Sequence, residues 1–525
     1  METITIDTPA GSQALQAMPV IKAENAFKPD MHDFSFALAA FALGYLFSRW
    51  VLFTWQGWGV TAFTTVYLLS VTAYLIKKGV FIKNCAAWFW MAVTLAAGFS
   101  YALWENASLA FIRASFLFCA AVYFVLAASG RTVMGATSNY LLADGLNATI
   151  IIPFRNIINQ YVSFSALRKG ESKRKKALPV ILGIFLAVLC FLGIIPLLMR
   201  ADSGGFGIIM GFFNDILRRI ISAELIFYGL FALPAAAYLY GLVSGAAHRK
   251  GTDIIKPEEV KKAAAGARVL QPATVFIVLG AVCGLYLIFI FSQTPYFFSA
   301  FTGRRPEGWL VYAQYARQWF FELCGIAAVN LVIITASNVT CRKSRAESRP
   351  LKAFNISLAV ITLVLIATAF SKMAMYIGVY GLTMPRLLPC VFMVITAAVF
   401  VALIALQKWS FSIVRFALIT GSVMLCVLFL SNPDALVVRY NTDRYLAGTL
   451  QDYDIEILYR SGSAGVRPAA EVYEKTDDEI LKVSIFRYLQ YQNGRYYGQS
   501  YAHRGSFETQ RAGQWLPSPQ APSSP

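Results

Sequence analysis

The chain has 525 residues, of which 57% are hydrophobic and only 14% charged, with a formal net charge of +18 and a mean hydropathy of +0.56. A soluble globular chain carries about 25% charged residues, so this composition excludes an ordinary soluble domain. The basic residues stand beside apolar runs, which points to a bilayer with anionic lipids on its cytoplasmic face as the partner, and not to nucleic acid.

Residues 1–33 are polar and lack the basic, apolar and small-residue order of a cleaved leader. They read as a cytoplasmic tail, and the first apolar run then serves as an uncleaved anchor. Apolar runs follow at 34–53, 60–76, 86–103, 108–128, 177–199, 222–244, 272–292, 318–340, 353–376, 387–407 and 410–431. Crossing a hydrocarbon core about 30 Å thick takes about 20 helical residues, and these runs have that length. Irregular backbone facing lipid leaves amides unsatisfied. The predicted fold class is therefore all-α: a polytopic helical membrane protein with about eleven transmembrane helices and additional interfacial helices. The domains read as a tail (1–33), a transmembrane body (34–431) and a small extracytoplasmic region (432–525).

Lys and Arg in alternate connections number about 25 on one side and about 8 on the other. That asymmetry predicts a cytoplasmic N-terminus, an extracytoplasmic C-terminus and residence in a bacterial cytoplasmic membrane. The run from Arg168 to Lys176 is the strongest cytoplasmic anchor. Three shorter segments carry helical periodicity. In 148–165, Ile150, Ile151, Phe154, Ile157, Ile158, Tyr161 and Phe164 oppose Arg155, Asn156, Asn159, Gln160 and Ser163. This predicts a helix lying in the cytoplasmic interface, with Pro153 in its first turn. Residues 207–221 repeat the pattern outside. Residues 256–268 read as a cytoplasmic helix, with Pro257 at its first position and Glu258 and Glu259 at the positive end of its dipole. In the last region, 434–447 and 468–491 have helical spacing, Ser461 to Gly465 reads as flexible, and the stretch from Leu516 to Pro525 as a disordered tail.

The eight cysteines lie in or beside apolar runs, with no metal or redox spacing, and His32, His248 and His503 form no ligand set. Nucleotide-binding loops, zinc motifs and nucleophile elbows are absent, so no cofactor and no metal is expected. Charged groups inside spans are few because each costs about 2.5–3.5 kcal/mol on insertion scales. Arg415 and Arg113 lie near span ends, Arg113 close to Glu105, and read as anchors. The span directions bring Arg317, Glu322, Lys372, Tyr376 and Arg386 to one level in the outer half. Tyr376 shares a helix face with Lys372. This candidate polar cluster reads either as a lock between three helices or as a pocket reached from outside.

Local strings carry a family resemblance. The run from Tyr315 to Leu323, Tyr-Ala-Arg-Gln-Trp-Phe-Phe-Glu-Leu, resembles the Tyr-Ala-Arg-x-Gly-Phe-Phe-Glu-Leu string of a bacterial membrane family recorded as domain of unknown function four-one-seven-three, or its sister four-one-five-three. Trp319 stands where that family usually has Gly. The similarity continues at Gly44-Tyr45-Leu46-Phe47, Gln56 to Thr61, Lys372-Met373 with Tyr376, Tyr380 to Thr383 with Arg386, and Arg439-Tyr440-Asn441. It covers about residues 34–450. After Leu458 the family's acidic stretch is replaced by Ser461 to Pro468. The resemblance implies a bacterial cytoplasmic membrane protein and brings no activity with it. The expected function is a non-enzymatic transport or envelope-support protein. The alternatives are an enzyme acting on a lipid-linked substrate at the outer leaflet, and a membrane scaffold for partner proteins.

Overall fold

A computed structural model describes residues 27–516 apart from 135–136, 167–182, 184–193, 195–222, 253–254, 303–308, 346 and 499–503. The expected span 177–199, the outer helix 207–221, the basic run 168–176, Cys190, His503 and the end 517–525 lie outside the described residues, as does most of the N-terminal tail.

Helices α1 (Met31–Phe47), α2 (Trp58–Lys77), α3 (Cys85–Leu103) and α4 (Ala110–Ser129) form a first bundle with α8 (Ala223–Ala247). Asp30 starts α1 by a reciprocal capping box with Asp33, and a π-helical turn, Ser48–Leu52, extends it. A second bundle contains α10 (Pro272–Thr302), α11 (Trp309–Thr340), α12 (Arg349–Tyr380) and α13 (Met384–Ala405). Helix α14 (Ile413–Leu430) packs on both α3 and α13 and joins the two. Among the described residues there is no strand, only one isolated bridge between Leu270 and Cys341. Many apolar side chains point outward, among them Phe111, Ile277 and Phe291. That outward face is what lipid as a solvent requires. The all-α polytopic reading holds.

Lipid tails are as apolar as leucine, so helices in a membrane are joined by close packing and hydrogen bonds. Both devices are present. In the second bundle the Tyr286 hydroxyl donates to Asn330 Oδ1 at 2.7 Å, and Asn330 Nδ2 donates to Thr362 Oγ1 at 2.9 Å, linking α10, α11 and α12. In the first bundle Gly44 of α1 meets α8 backbone to backbone. A Cβ there would stand 2.5 Å from the Ala232 carbonyl oxygen and 2.9 Å from Ala236 Cβ. The carbonyl belongs to a helix ladder and cannot swing away. Gly44→Val is therefore expected to cost roughly 1–3 kcal/mol, the usual range for overpacking. The loss should appear as a lowered melting temperature in detergent; an unchanged melting temperature would rule out the close approach.

Contacts at the helix termini define two ends of the body. Asp33, at the start of α1, is bound by Tyr74 and Lys78 from the end of α2 and by His248 just past α8. These residues mark the first end. Phe53, past α1, packs on Phe227 and Tyr228 near the start of α8 and marks the second end.

Eleven helical stretches among the described residues are long and apolar enough to cross a membrane. Ten correspond to expected spans; the eleventh, Leu141–Ser165, is the segment read as interfacial. It comprises α5 (Leu141–Leu146), a π turn (Asn147–Ile151), α6 (Ile152–Arg155) and α7 (Asn159–Ala166). Its contacts stay in the half of the body toward the first end. The Val133 amide, just past α4, donates to Asp144; Asn156 Nδ2 donates to the Lys250 carbonyl; Phe164 packs edge-on against Phe34 in the first turn of α1. The polarity of the segment is the reverse of a helix resting on a membrane surface. Asn156, Gln160 and Ser163 are buried against the protein, bonded to Lys250, Ala37 and Tyr240, while Ile150, Phe154 and Ile158 are exposed. Lipid outside and polar groups inside is the arrangement a low-dielectric solvent imposes.

The short helix α9 (Pro257–Gly266) begins with Pro257, as its sequence predicts. Beyond α14 the chain forms a helical cap at the second end: α15 (Pro433–Leu446), α16 (Ile455–Ser461), α17 (Val466–Lys475), α18 (Glu479–Gly498) and α19 (Phe507–Ala512). Val466, Ala469 and Val472 recur every three residues and pack with Leu458, Ile485 and Tyr488 in a small core. The expected flexible link Ser461–Gly465 is instead the last residue of α16 followed by a buried 3-10 turn, Gly462–Gly465, held because it touches a carboxylate of the membrane body.

Candidate functional site

The cap meets the body through buried charge. Helix α3 ends at Leu103, and its outgoing carbonyls need donors. Arg113 of α4 supplies them: its guanidinium donates to the Trp104 carbonyl at 3.2 Å and the Glu105 carbonyl at 2.8 Å, and lies 3.7 Å from the centre of the Tyr101 ring. Arg113 is fully buried. The last carbonyls of α14 are served from the same turn. Trp104 Nε1 donates to Leu430 and Asn106 Nδ2 to Phe429, each at 2.8 Å. One short turn, 104–106, thus joins two helix ends, those of α3 and α14.

The cap then adds its own groups. Asn432 adopts a left-handed conformation (φ 51°) that turns the chain from α14 into α15, and its side chain caps α15. Its Nδ2 donates to Glu508 of α19. The other Glu508 oxygen accepts from the Glu105 amide at 3.0 Å. Glu105 Oε2 accepts from the Ser463 amide at 2.8 Å and its hydroxyl at 2.7 Å, and Oε1 is paired with Arg495 at 2.8 Å. Asp434, fully buried in the first turn of α15, accepts from the Ser108 amide. Gly462 (φ +59°) allows the approach, since a Cβ there would lie 2.6 Å from Glu105 Oε2.

Three buried carboxylates, Glu105, Asp434 and Glu508, therefore stand beside two arginines. Burial pushes the Glu105 carboxyl up, but Arg495 and the two Ser463 donors outweigh it and hold it below the usual carboxylate range. For Asp434, burial wins over the Ser108 bond and raises it. For Glu508, burial dominates; the bonds from Asn432 and the Glu105 amide oppose it, and the charges of Glu105 and Asp434 add to it. Its pKa is pushed up to about 7. The joint can therefore hold or release a proton near neutral pH.

The residues expected to cluster fall as follows. Arg386 donates to the carbonyls of Tyr380, at 2.8 Å, and Gly381, closing the end of α12, and its guanidinium lies 4.4 Å from the Tyr376 ring centre. Lys372 is buried one turn below Tyr376. Glu322 is exposed on α11. The Arg317 side chain lies outside the described residues. Arg386 and Tyr376 are thus brought together as an end cap. The strings Tyr380–Thr383 and Arg439–Asn441 also converge, for Asn441 brackets Leu382 by accepting from its amide at 2.8 Å and donating to its carbonyl at 2.6 Å.

This hook between body and cap ties together sequence far apart in one continuous unit. A family model matches residues 91–471, from within α3 to within α17. The chain belongs to the family described as Domain of unknown function (DUF4153). Membership thus spans both sides of the joint, from Glu105 and Arg113 to Asp434 and Ser463, while Arg495 and Glu508 stand beyond the matched segment. No curated protein and no solved structure matches the chain.

At the first end the sequence hid a second charged cluster. Tyr74 donates to Asp33 Oδ1 at 2.6 Å, where His248 Nε2 also binds at 2.8 Å, and Lys78 bridges Asp33 and Asp30 at 3.1 and 2.8 Å. Asp33 is fully buried. The only available signal was an Asp at the mouth of the first span, with its partners 41, 45 and 215 residues away.

Proposed function

We propose that this integral membrane protein is a non-enzymatic transport or envelope-support protein of a bacterial cytoplasmic membrane, with its cap on the extracytoplasmic side. The observation that carries the reading is the joint itself. Buried carboxylates of body and cap are bonded across the joint to Arg495, Asn432, Ser463 and backbone amides, an arrangement that holds a cap in place. A catalytic acid would instead face a deep cavity; the space beside Glu105, Ser463 and Arg495 is about 10 Å³, roughly one water.

The test is complementation. In a strain lacking the protein, the natural chain is expected to restore resistance to detergent and dye entry, and Arg495→Ala, which cuts the ion pair with Glu105, to restore it only in part. Full restoration by the variant would remove the cap from the function. Turnover of a lipid-linked sugar by the purified protein, abolished by Glu105→Gln, would replace this reading with the enzyme alternative.

Orientation rests on the basic asymmetry. Alkaline phosphatase fused after residue 450 is expected to be active, and fused after residue 260 to be weak. The reverse pattern would invert the topology.

The outer-half pair is expected to couple α11 and α12. Glu322→Gln and Lys372→Met should each lower thermal stability in detergent more than the double variant does, because one change alone leaves a charge uncompensated. Additive losses would mean that the two do not interact.

A further inference from the structure

The first bundle is not solid. An apolar cavity of about 310 Å³ lies between α1, α2, α4 and α8, at the lower end of the roughly 300–1,000 Å³ typical of small-molecule sites. On α4 its wall runs from Ala114 to Val122, about 12 Å at 1.5 Å per residue. Trp55 lines it toward the second end. Toward the middle it meets Tyr238, whose hydroxyl donates to the Thr149 carbonyl at 3.0 Å and whose ring packs against Phe154. Half of a hydrocarbon core is about 15 Å thick, so the cavity has the length of one leaflet.

Its chemistry excludes most occupants. The hydroxyls on its wall are already committed: Tyr67 to the Ala121 carbonyl at 2.9 Å, Thr64 to the Val60 carbonyl at 2.8 Å, and Tyr238 to Thr149. A water needs two to four polar partners, and apolar cavities of this kind stay dry. A polar solute would lose its hydration and gain nothing. The cavity is also continuous with the surface that faces lipid: Phe118 belongs to its wall and is 46% exposed, about two helix turns along the same face from Phe111 at 84%. The molecules abundant at that depth are hydrocarbon chains.

We propose that this groove is a binding site for one acyl chain of a phospholipid from the leaflet at the capped end. The inference deepens the transport or envelope-support reading by naming the class of molecule engaged, and rests on that reading only for its biological meaning. The headgroup stays at the level of Trp55 in the interface, and the chain slips in sideways and runs down to Phe118 and Tyr238, whose rings lie 6.2 Å apart at the inner end of the groove. Small residues on the facing walls, Ala121 of α4 and Ala235 of α8, leave the width that a methylene chain needs.

The full chain is reconstituted in vesicles of phosphatidylethanolamine and phosphatidylglycerol with a trace of phospholipid bearing a mid-chain diazirine. After irradiation and digestion, label is expected to be several-fold denser on peptides containing 114–122 and 235–242 than on the lipid-facing side of α10 around Ile277 and Ile288. Ala121→Phe fills the groove and should remove that excess while leaving the α10 label unchanged. Leu117→Trp serves the same purpose if Ala121→Phe lowers expression. Uniform labelling of groove and α10, or an excess that survives both variants, overturns the proposal. Labelling reads the groove and complementation by Arg495→Ala reads the cap, so either reading can fail while the other stands.

Discussion

Arg113→Met is expected to lower the stability of the protein in detergent by on the order of 3–5 kcal/mol, the cost of breaking a buried charge cluster from one side. The side chain is fully buried. Its loss strands two backbone carbonyls, those of Trp104 and Glu105, at the end of α3. It also leaves the Glu105 and Asp434 carboxylates with one cation fewer nearby. Arg113→Lys should rescue little, because a single ammonium cannot span two carbonyls while stacking on Tyr101 as the planar guanidinium does. Pairing Arg113→Met with Asp434→Asn should cost less than the sum of the two, since one change removes the charge that the other left unbalanced. The measurement is thermal unfolding followed by circular dichroism. A single-variant loss below about 1 kcal/mol, the ordinary effect of a point mutation, would show that the cluster does not hold the end of α3.

The spans were legible because lipid imposes length and apolarity on each helix separately. Predicted limits such as 60–76 and 86–103 fall within two residues of α2 and α3. The longer helices α11 and α12 have 32 residues each, about 48 Å at 1.5 Å per residue, which is more than a hydrocarbon core about 30 Å thick requires. The joint was hard to read for the opposite reason. Arg113 and Glu105 could be seen as neighbours near a span end, but Ser463, Arg495 and Glu508 reach them across 358, 390 and 403 residues of sequence. Ser461–Gly465 looked like a linker because glycine and serine are what a flexible link would use. The same residues serve a backbone that must pass within hydrogen-bond distance of a carboxylate. The segment 148–165 gave its periodicity correctly, and what changed was which face met protein. A helical pattern does not say whether its polar side faces water or a polar interior.

The cap is expected to be held by a proton. Glu508 faces the carboxylates of Glu105 and Asp434, the Asn432 amide and the Glu105 backbone amide, while Arg113, Arg495 and the Tyr488 phenol stand around Glu105. Its pKa in the folded protein is about 7, against an ordinary 4.5. A raised carboxyl pKa means that the folded state holds the proton over a pH range in which the unfolded chain has released it. Stability from this group is therefore complete below about 4.5 and declines as pH rises to about 7, by on the order of 3 kcal/mol over that window. Above about 7 it stays level. Asp434, also raised, adds a slope of the same sign, beginning from its ordinary value of 3.8. Glu105, held low by Arg495, acts oppositely: its contribution is present above 4.5 and disappears only in more acidic solution. The two effects thus occupy separate pH ranges. Glu508→Gln removes the titration and keeps one of the two accepted hydrogen bonds, because its Nε2 cannot accept from the Glu105 amide or from Asn432 Nδ2. It should flatten most of the decline between pH 4.5 and 7, since the loss of that one bond does not vary with pH. Hydrogen exchange of the 507–512 amides, corrected for its intrinsic pH dependence, reports on the cap alone. In the natural chain, protection there should fall as pH rises, and in Glu508→Gln it should change little. An equal decline in both would mean that the proton is held elsewhere and that Glu508 is an ordinary hydrogen-bond acceptor in the joint.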